Sequence, residues 1–235
     1  MSNSALAPHR INRDTLRAGE VRQQFIAVRG AAALLTDAEH RRSVERMLAT
    51  RPDGAGDVWL FAYGSLMWNP MVRFRAKRIA TVRGYHRRFC MWTRLYRGSP
   101  EVPGLVLGLV PGGSCRGVVY RIAASEAREE LELVWRREMI NGGYHPTWLR
   151  IITNGGRGWA IGFVSDKRFI DYAGLLPEER IAEIVGKAKG FAGTGADYLF
   201  GTAAHLTELG IRDPALERIR ACVKQTIERN HKTAI

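Results

Sequence analysis

"VWLFAYGSLMWNP", residues 58–70, opens as a run of large apolar side chains, stops at Gly64-Ser65, and resumes at once with Leu66, Met67 and Trp68. A run this short, rich in aromatic residues and closed by glycine, reads as a β-strand entering a tight turn. Glycine lets the backbone turn sharply there. It leaves successive N–H groups without a strand partner and able to cradle an anion. Taken alone, Gly-Ser at a strand end is more often a plain turn, so the rest of the chain decides.

Runs of the same texture follow at short spacing: Ala80 to Thr93, Leu105 to Val110, Gly117 to Ile122, Trp148 to Thr153 and Trp159 to Val164. Their lengths and glycine breaks suit a mostly antiparallel sheet or small barrel better than βαβ units. One helix interrupts them, at Glu126 to Met139. Upstream, Thr36-Asp37-Ala38-Glu39 is a capping box ahead of Val44, Met47 and Leu48 at helical spacing, and Arg51 to Gly56 reads as a short linker. Downstream of Asp166, Pro177-Glu178-Glu179 opens one helix and Asp213-Pro214 another, with Leu216, Ile219 and Val223 inward. Between them "GFAGTGADYLFGT" (190–202) is a glycine-rich loop feeding a helix at about Asp197. The expectation is an α+β fold, a small, mostly antiparallel barrel-like sheet flanked by helices. Residues 1–57 form an N-terminal helical extension packed outside a main domain of residues 58–235.

With 235 residues and 46% of them hydrophobic, the chain can bury one large core. No apolar run approaches the roughly 18 to 20 residues of a membrane span, and Met1 to His9 lacks the basic end and apolar stretch of a signal peptide. A cytoplasmic protein with no membrane partner is expected. Cys90, Cys115 and Cys222 form an odd set without a close pair, and read as small buried hydrophobes. The six histidines (His9, His40, His86, His145, His205, His231) have no ligand spacing, so a metal is not expected.

Nine of the thirteen net positive charges fall within residues 58–120, where ten basic residues face a single acid, Glu101. A polyanion or a small carboxylate-bearing substrate would both be drawn to such a stretch, and a solvated basic face is the plain alternative. No nucleic-acid motif accompanies it. Phe74, Tyr85, Phe89 and Trp92 are as easily core as stacking platforms.

The interrupting helix, "SEAREELELVWRREMINGGY" (125–144), carries the most informative pattern. At 100° per residue Ala127, Leu131, Val134 and Trp135 form one apolar stripe, and Glu138 falls in the middle of it. Glu129, Glu130, Glu132, Arg136 and Arg137 point elsewhere. An inward carboxylate is costly unless paired, hydrogen-bonded or protonated. The negative end of the helix dipole disfavours its charge further. Both effects raise its pKa toward what a general base or acid needs near neutrality, although a structural ion pair with one of many arginines would fit as well. Ser65 is not in G-x-S-x-G, and no P-loop or dinucleotide fingerprint is present.

Together, "VWLFAYGSLMWNP", "HRRFCMW" (86–92), "GLVLGLVPGGSCRGVVYRI" (104–122), "LVWRREMINGGY" (133–144), "ADYLF" (196–200) and "LGIRDPALE" (209–217) closely resemble the ChaC-like gamma-glutamylcyclotransferases, over about Val58 to Glu217. The resemblance implies a catalytic domain that cleaves the γ-glutamyl bond of glutathione, without metal or cofactor, releasing 5-oxoproline and cysteinylglycine. It places the catalytic glutamate on Glu138 and the loop that holds the glutamyl moiety on Tyr63, Gly64, Ser65 and Leu66. Tyr198 is carried over from the D-Y-L motif, and Arg87 and Arg88 are candidates for the substrate's carboxylates. The chain departs from the family pattern at Gly195 and Gly201, where asparagines are expected. Three alternatives stand beside this reading: a cyclotransferase for another γ-glutamyl amine or dipeptide, a non-catalytic module binding an anion or nucleic acid, and a member of the fold that has lost catalysis. Oligomeric state is not legible.

Overall fold

A computed structural model describes residues 11–233. Met1 to His9 and the side chain of His231 lie outside the described residues. Five strands close a barrel in the order β1-β3-β2-β4-β5: β1 (Val58–Ala62), β2 (Ala76–Thr93), β3 (Gly104–Ile122), β4 (Tyr144–Thr153) and β5 (Gly156–Ser165). The long pairings are antiparallel, and parallel contacts at Leu60–Ile161 and Leu109–Val164 bring β5 to β1 and β3. The mostly antiparallel barrel expected from the strand spacing is therefore what forms.

The two strands expected at 105–110 and 117–122 are one. Pro111-Gly112-Gly113-Ser114 does not end β3, because Gly112 and Gly113 (φ 110° and 65°) lie opposite Gly84 (φ 83°), where the register slips between Arg83 and Tyr85. The glycines form a bulge. A bulge bends a strand and raises its twist without ending it, which a strand of 19 residues needs in order to wrap a barrel.

Helices follow where their caps place them. The Thr36–Glu39 capping box starts α3 (Asp37–Ala49), after the short α1 (Arg13–Arg17) and α2 (Glu20–Arg29). Then come α4 (Ala127–Glu138), α5 (Glu178–Lys187), α6 (Gly195–Glu208) and α7 (Pro214–Thr233). A second capping box, Thr194 with Asp197, opens α6. The α4 stripe enters the main core as expected, with Leu131, Val134 and Trp135 fully buried beside Leu60, Val118 and Phe163. Cys90 and Cys115 are buried, and Cys222 is half-buried. Among the described residues no helix is long and apolar enough to cross a membrane.

The N-terminal helices cover a second face of α4. Leu16, Val21, Phe25 and Leu34 form a cluster with Met71, Leu95, Leu133 and Ile140. Leu35 N donates to the Ile140 carbonyl at 3.0 Å, and Trp135 Nε1 donates to Ser43 Oγ at 3.0 Å. Glu130 and Arg137, off the apolar stripe as the helical wheel requires, are nonetheless buried. Glu130 accepts from Arg13 Nη2 at 2.7 Å and from the Arg73 amide at 2.7 Å. The extension thus docks through a buried ion pair as well as through apolar contacts.

Candidate active site

A cavity of about 160 Å³ opens where the loop after β1, the segment leaving β2, the last turn of α4 and the start of α6 converge. Glu138, the last residue of α4, lines it, as do Tyr63, Gly64, Ser65, Leu66 and Tyr198. Of the residues singled out from the sequence, these six are brought together.

Local geometry explains how. After β1 the chain makes one 3-10 turn over Ser65–Met67, in which Met67 N donates to the Gly64 carbonyl at 2.9 Å. The amides that open such a turn have no acceptor within it. Those of Ser65 and Leu66 are in that position. Gly64 sits at a close approach: a Cβ there would stand 3.1 Å from Tyr198 Oη, which accepts from the Leu107 amide at 3.3 Å and would have to shift by a few tenths of an ångström. Arg137 joins the turn to Glu138. Its guanidinium donates to Ser65 Oγ at 2.6 Å and to the Asn69 carbonyl at 2.7 Å, while Nε lies 3.1 Å from Glu138 Oε1.

Glu138 keeps 17% of its side chain accessible, on the cavity it lines. Burial pushes its carboxyl above the usual carboxylate range, and the Arg137 charge opposes this without reversing it. Four phenols share the cavity wall: Tyr63, Tyr96, Tyr144 and Tyr198. Burial raises all four, Tyr198 to about 12, so at neutral pH they are neutral and serve as hydrogen-bonding groups rather than bases. Tyr63 Oη is already committed, donating to the Phe163 carbonyl at 2.9 Å.

The two candidates for substrate carboxylates, Arg87 and Arg88, do not line the cavity. Arg88 Nη2 donates to the Leu176 carbonyl at 3.2 Å. Arg87 is buried beneath the site: Nη1 donates to the Tyr63 carbonyl at 2.7 Å, Nη2 donates to the Arg116 carbonyl, and Nε is ion-paired with Asp213 at 2.8 Å. It clamps the end of β1. Adjacent residues of a strand point to opposite faces, and neither face of β2 at 87 and 88 looks into the cavity.

Several wall residues carry no clear signal in the sequence. Arg94, Tyr96 and Arg97 are visible there only as part of a basic run, and Tyr144 only as the end of a Gly-Gly-Tyr. Ile11, Phe25, Val28 and Arg29 come from the extension, expected outside the main domain, and no local pattern announces where a helix folds back. The two departures from the family pattern separate. A Cβ at Gly195 would meet the Val185 carbonyl oxygen at 2.7 Å, so α5 packs too closely for an asparagine there, whereas Gly201 faces open space.

The model of the ChaC-like protein family matches residues 58–226. Over 94% of its length and 95% of the relative's, the chain is 39% identical to the glutathione-specific gamma-glutamylcyclotransferase of Escherichia coli (strain K12). It is 34% identical to the glutathione-specific gamma-glutamylcyclotransferase 1 of Mus musculus, covering 71% of this chain and 79% of that one. The fold is similar to the crystal structure of a gamma-glutamyl cyclotransferase specific to glutathione from yeast, with a TM-score of 0.68 at 20% identity, over 73% of this chain and 97% of the other. On the extent of these matches, and on a barrel and loop placed as the motifs require, the chain belongs to the ChaC-like protein family.

Proposed function

We propose that this protein is a glutathione-directed γ-glutamylcyclotransferase, acting in the cytoplasm without a cofactor and releasing 5-oxoproline and cysteinylglycine. The observation that carries the reading is a carboxyl of raised pKa held 3.1 Å from the arginine that also grips the 63–66 turn. Base and anion cradle are fixed to each other by one side chain.

The chemistry asks for little more. The substrate's α-amine attacks its own γ-carbonyl, closing a five-membered ring, so orientation supplies much of the rate. The amine arrives as an ammonium ion with no lone pair. Glu138 takes its proton, and the freed nitrogen bonds to the γ-carbon, whose carbonyl oxygen becomes an oxyanion facing the amides of the turn. As the γ-carbon to nitrogen bond of the peptide breaks, protonated Glu138 gives its proton to the departing nitrogen of cysteinylglycine. The carboxylate so regenerated takes the second proton from the ring nitrogen, and that proton leaves with the product amine as its ammonium proton. A desolvated carboxyl suits both halves, since its raised pKa makes it a better base at neutral pH and still able to donate.

The basic stretch at 58–120 gives no comparable support to a nucleic-acid partner. Arg87 is consumed inside the fold, and Arg94 and Arg97 turn into the cavity. The experiment that tests the proposal is mass-spectrometric detection of 5-oxoproline from glutathione and a panel of γ-glutamyl dipeptides and amines, with Glu138→Gln alongside. Release from glutathione that disappears in the variant is expected. Release from amines but not from glutathione would transfer the activity to another substrate, and undiminished release by Glu138→Gln would remove the base.

A further inference from the structure

Four arginines line the cavity, and among the described residues only two are in an ion pair. Arg29 is ion-paired with Asp171 and Arg137 with Glu138. Arg94 and Arg97, on the segment leaving β2, line the same space with no carboxylate in ion-pairing reach of either among the described residues. Arg94 is half-buried, and its Nη1 is buried without a hydrogen bond to any described residue. Arg97 is 9% exposed, its side chain makes a single hydrogen bond among the described residues, a 3.5 Å contact to the Thr194 carbonyl, and its guanidinium lies 5.6 Å from the centre of the Tyr198 ring. Asp197, in the first turn of α6, acts on Arg97 from beyond ion-pair distance, and its carboxylate accepts from the Thr194 amide at 3.1 Å.

A guanidinium cannot give up its proton at working pH, so it stays charged in this setting. Burial pushes the Arg97 guanidinium below its usual value, which marks how poorly the protein alone compensates its charge. A buried, unpaired cation is a standing cost that chains seldom carry without a ligand to relieve it. The segment is also held in place in advance. Phe191 N donates to the Leu95 carbonyl at 2.7 Å, Ala192 N donates to the Tyr96 carbonyl at 2.9 Å, and Phe25 of the extension meets the Tyr96 ring edge-on at 5.1 Å. Tyr96 Oη, buried in the same wall, has no hydrogen-bond partner.

Resting on the cyclotransferase reading of this cavity, we propose that Arg94 and Arg97 are its carboxylate-recognition pair, one for each carboxylate of a γ-glutamyl peptide. Two cations outside any ion pair meet two anions, one on the glutamyl α-carbon and one at the peptide's C-terminus. The substrate class is then γ-glutamyl peptides with a free C-terminal carboxylate, in preference to γ-glutamyl amines, which carry only the first. Arg137, neutralised by Glu138, is left to position the base and the turn.

The test compares glutathione with glutathione whose glycine carboxyl is an amide, by kcat/KM for 5-oxoproline release, in the full chain and in Arg94→Met and Arg97→Met. Wild type is expected to prefer glutathione by about tenfold or more, the scale of one charge-assisted bond. One variant is expected to lose that preference. The other is expected to lose efficiency on both compounds through KM, since both retain the glutamyl carboxylate. A partly unfolded variant lowers both rates alike and leaves the ratio unchanged, so misfolding cannot imitate the first result. Wild-type indifference to the amide, or an unchanged ratio in both variants, overturns the proposal while leaving the cyclotransferase reading intact. Should no compound yield 5-oxoproline, that reading fails instead. Calorimetric titration of glutathione and its amide into the three proteins then judges the arginines separately, with equal binding of both compounds to all three counting against them.

Discussion

The two ends of α4 bury one carboxylate each and use them in opposite ways. Glu130, near the start, is 1% exposed and surrounded by donors: Arg13 and the Arg73 amide. Burial alone would raise its carboxyl, but these partners hold it below the usual range. Glu138, at the other end, has a single cation beside it, shared with Ser65 and the Asn69 carbonyl, and is raised. At 100° per residue the two lie about 80° apart round the helix, so one faces the extension and the other the cavity. Burial of an acid is therefore no mark of function by itself; what separates the two is how completely the buried charge is satisfied.

Substitution at the two positions should separate them most sharply in rate. Glu138→Gln is expected to lower kcat by about 10²- to 10⁴-fold, the usual reach of one general acid–base group, with KM little changed. Glu130→Gln should keep kcat per folded molecule, measured by steady-state release of 5-oxoproline. A large loss at Glu130 would erase the distinction.

The next effect is on stability. Arg13→Ala leaves the Glu130 charge buried without its main partner, and a loss of about 3 kcal/mol is expected in urea unfolding. The Glu138 site should be spared at temperatures where the variant is folded. If Arg13→Ala proves as stable as the wild type, the docking of the extension does not depend on this pair.

Ser65→Ala tests the link between the turn and the base. It removes an acceptor 2.6 Å from Arg137, and the freed guanidinium should bind Glu138 more tightly and lower its pKa. The acidic limb of the kcat/KM profile should then move to lower pH, with efficiency falling several-fold, as expected for one lost hydrogen bond to a charged group. An unmoved limb would mean that Arg137 does not tune the base.

The smallest effect carries a definite sign. Because Glu138 titrates above 4.5 in the folded chain, its ionisation opposes folding: the favourable contribution is present below that value and is lost as pH rises through the raised pKa. The difference in Tm between Glu138→Gln and wild type should thus grow as pH rises through the raised pKa. Glu130 should behave the other way, its contribution present at neutral pH and lost in acid. Equal pH trends for Glu138→Gln and Glu130→Gln would show that both carboxylates are satisfied alike.

Glu138 is legible in the amino-acid order because helical periodicity is a local signal, and Ala127, Leu131, Val134 and Trp135 define a face into which it falls. The turn at 63–66 is legible for the same reason, a glycine closing an apolar run. The burial of Glu130 is not, since it depends on a segment more than a hundred residues away folding back on the helix. Arg87 and Arg88 illustrate a related limit. Alternation along a strand says that neighbours face opposite sides, but not which side holds a cavity. The joining of two expected strands into β3 is a third case, because glycine marks a bulge and a strand end with the same letter.

Sequence alone determined the strand and helix periods, the cap that starts α3, and the inward carboxylate, all of which follow from interactions among residues within a few positions of one another. Only the tertiary structure decided which of the many arginines met an acid, which clamped the β1 end from beneath, and which two faced the cavity outside any ion pair among the described residues. Charge pairing is a contact between distant parts of the chain, and a one-dimensional pattern carries no record of it.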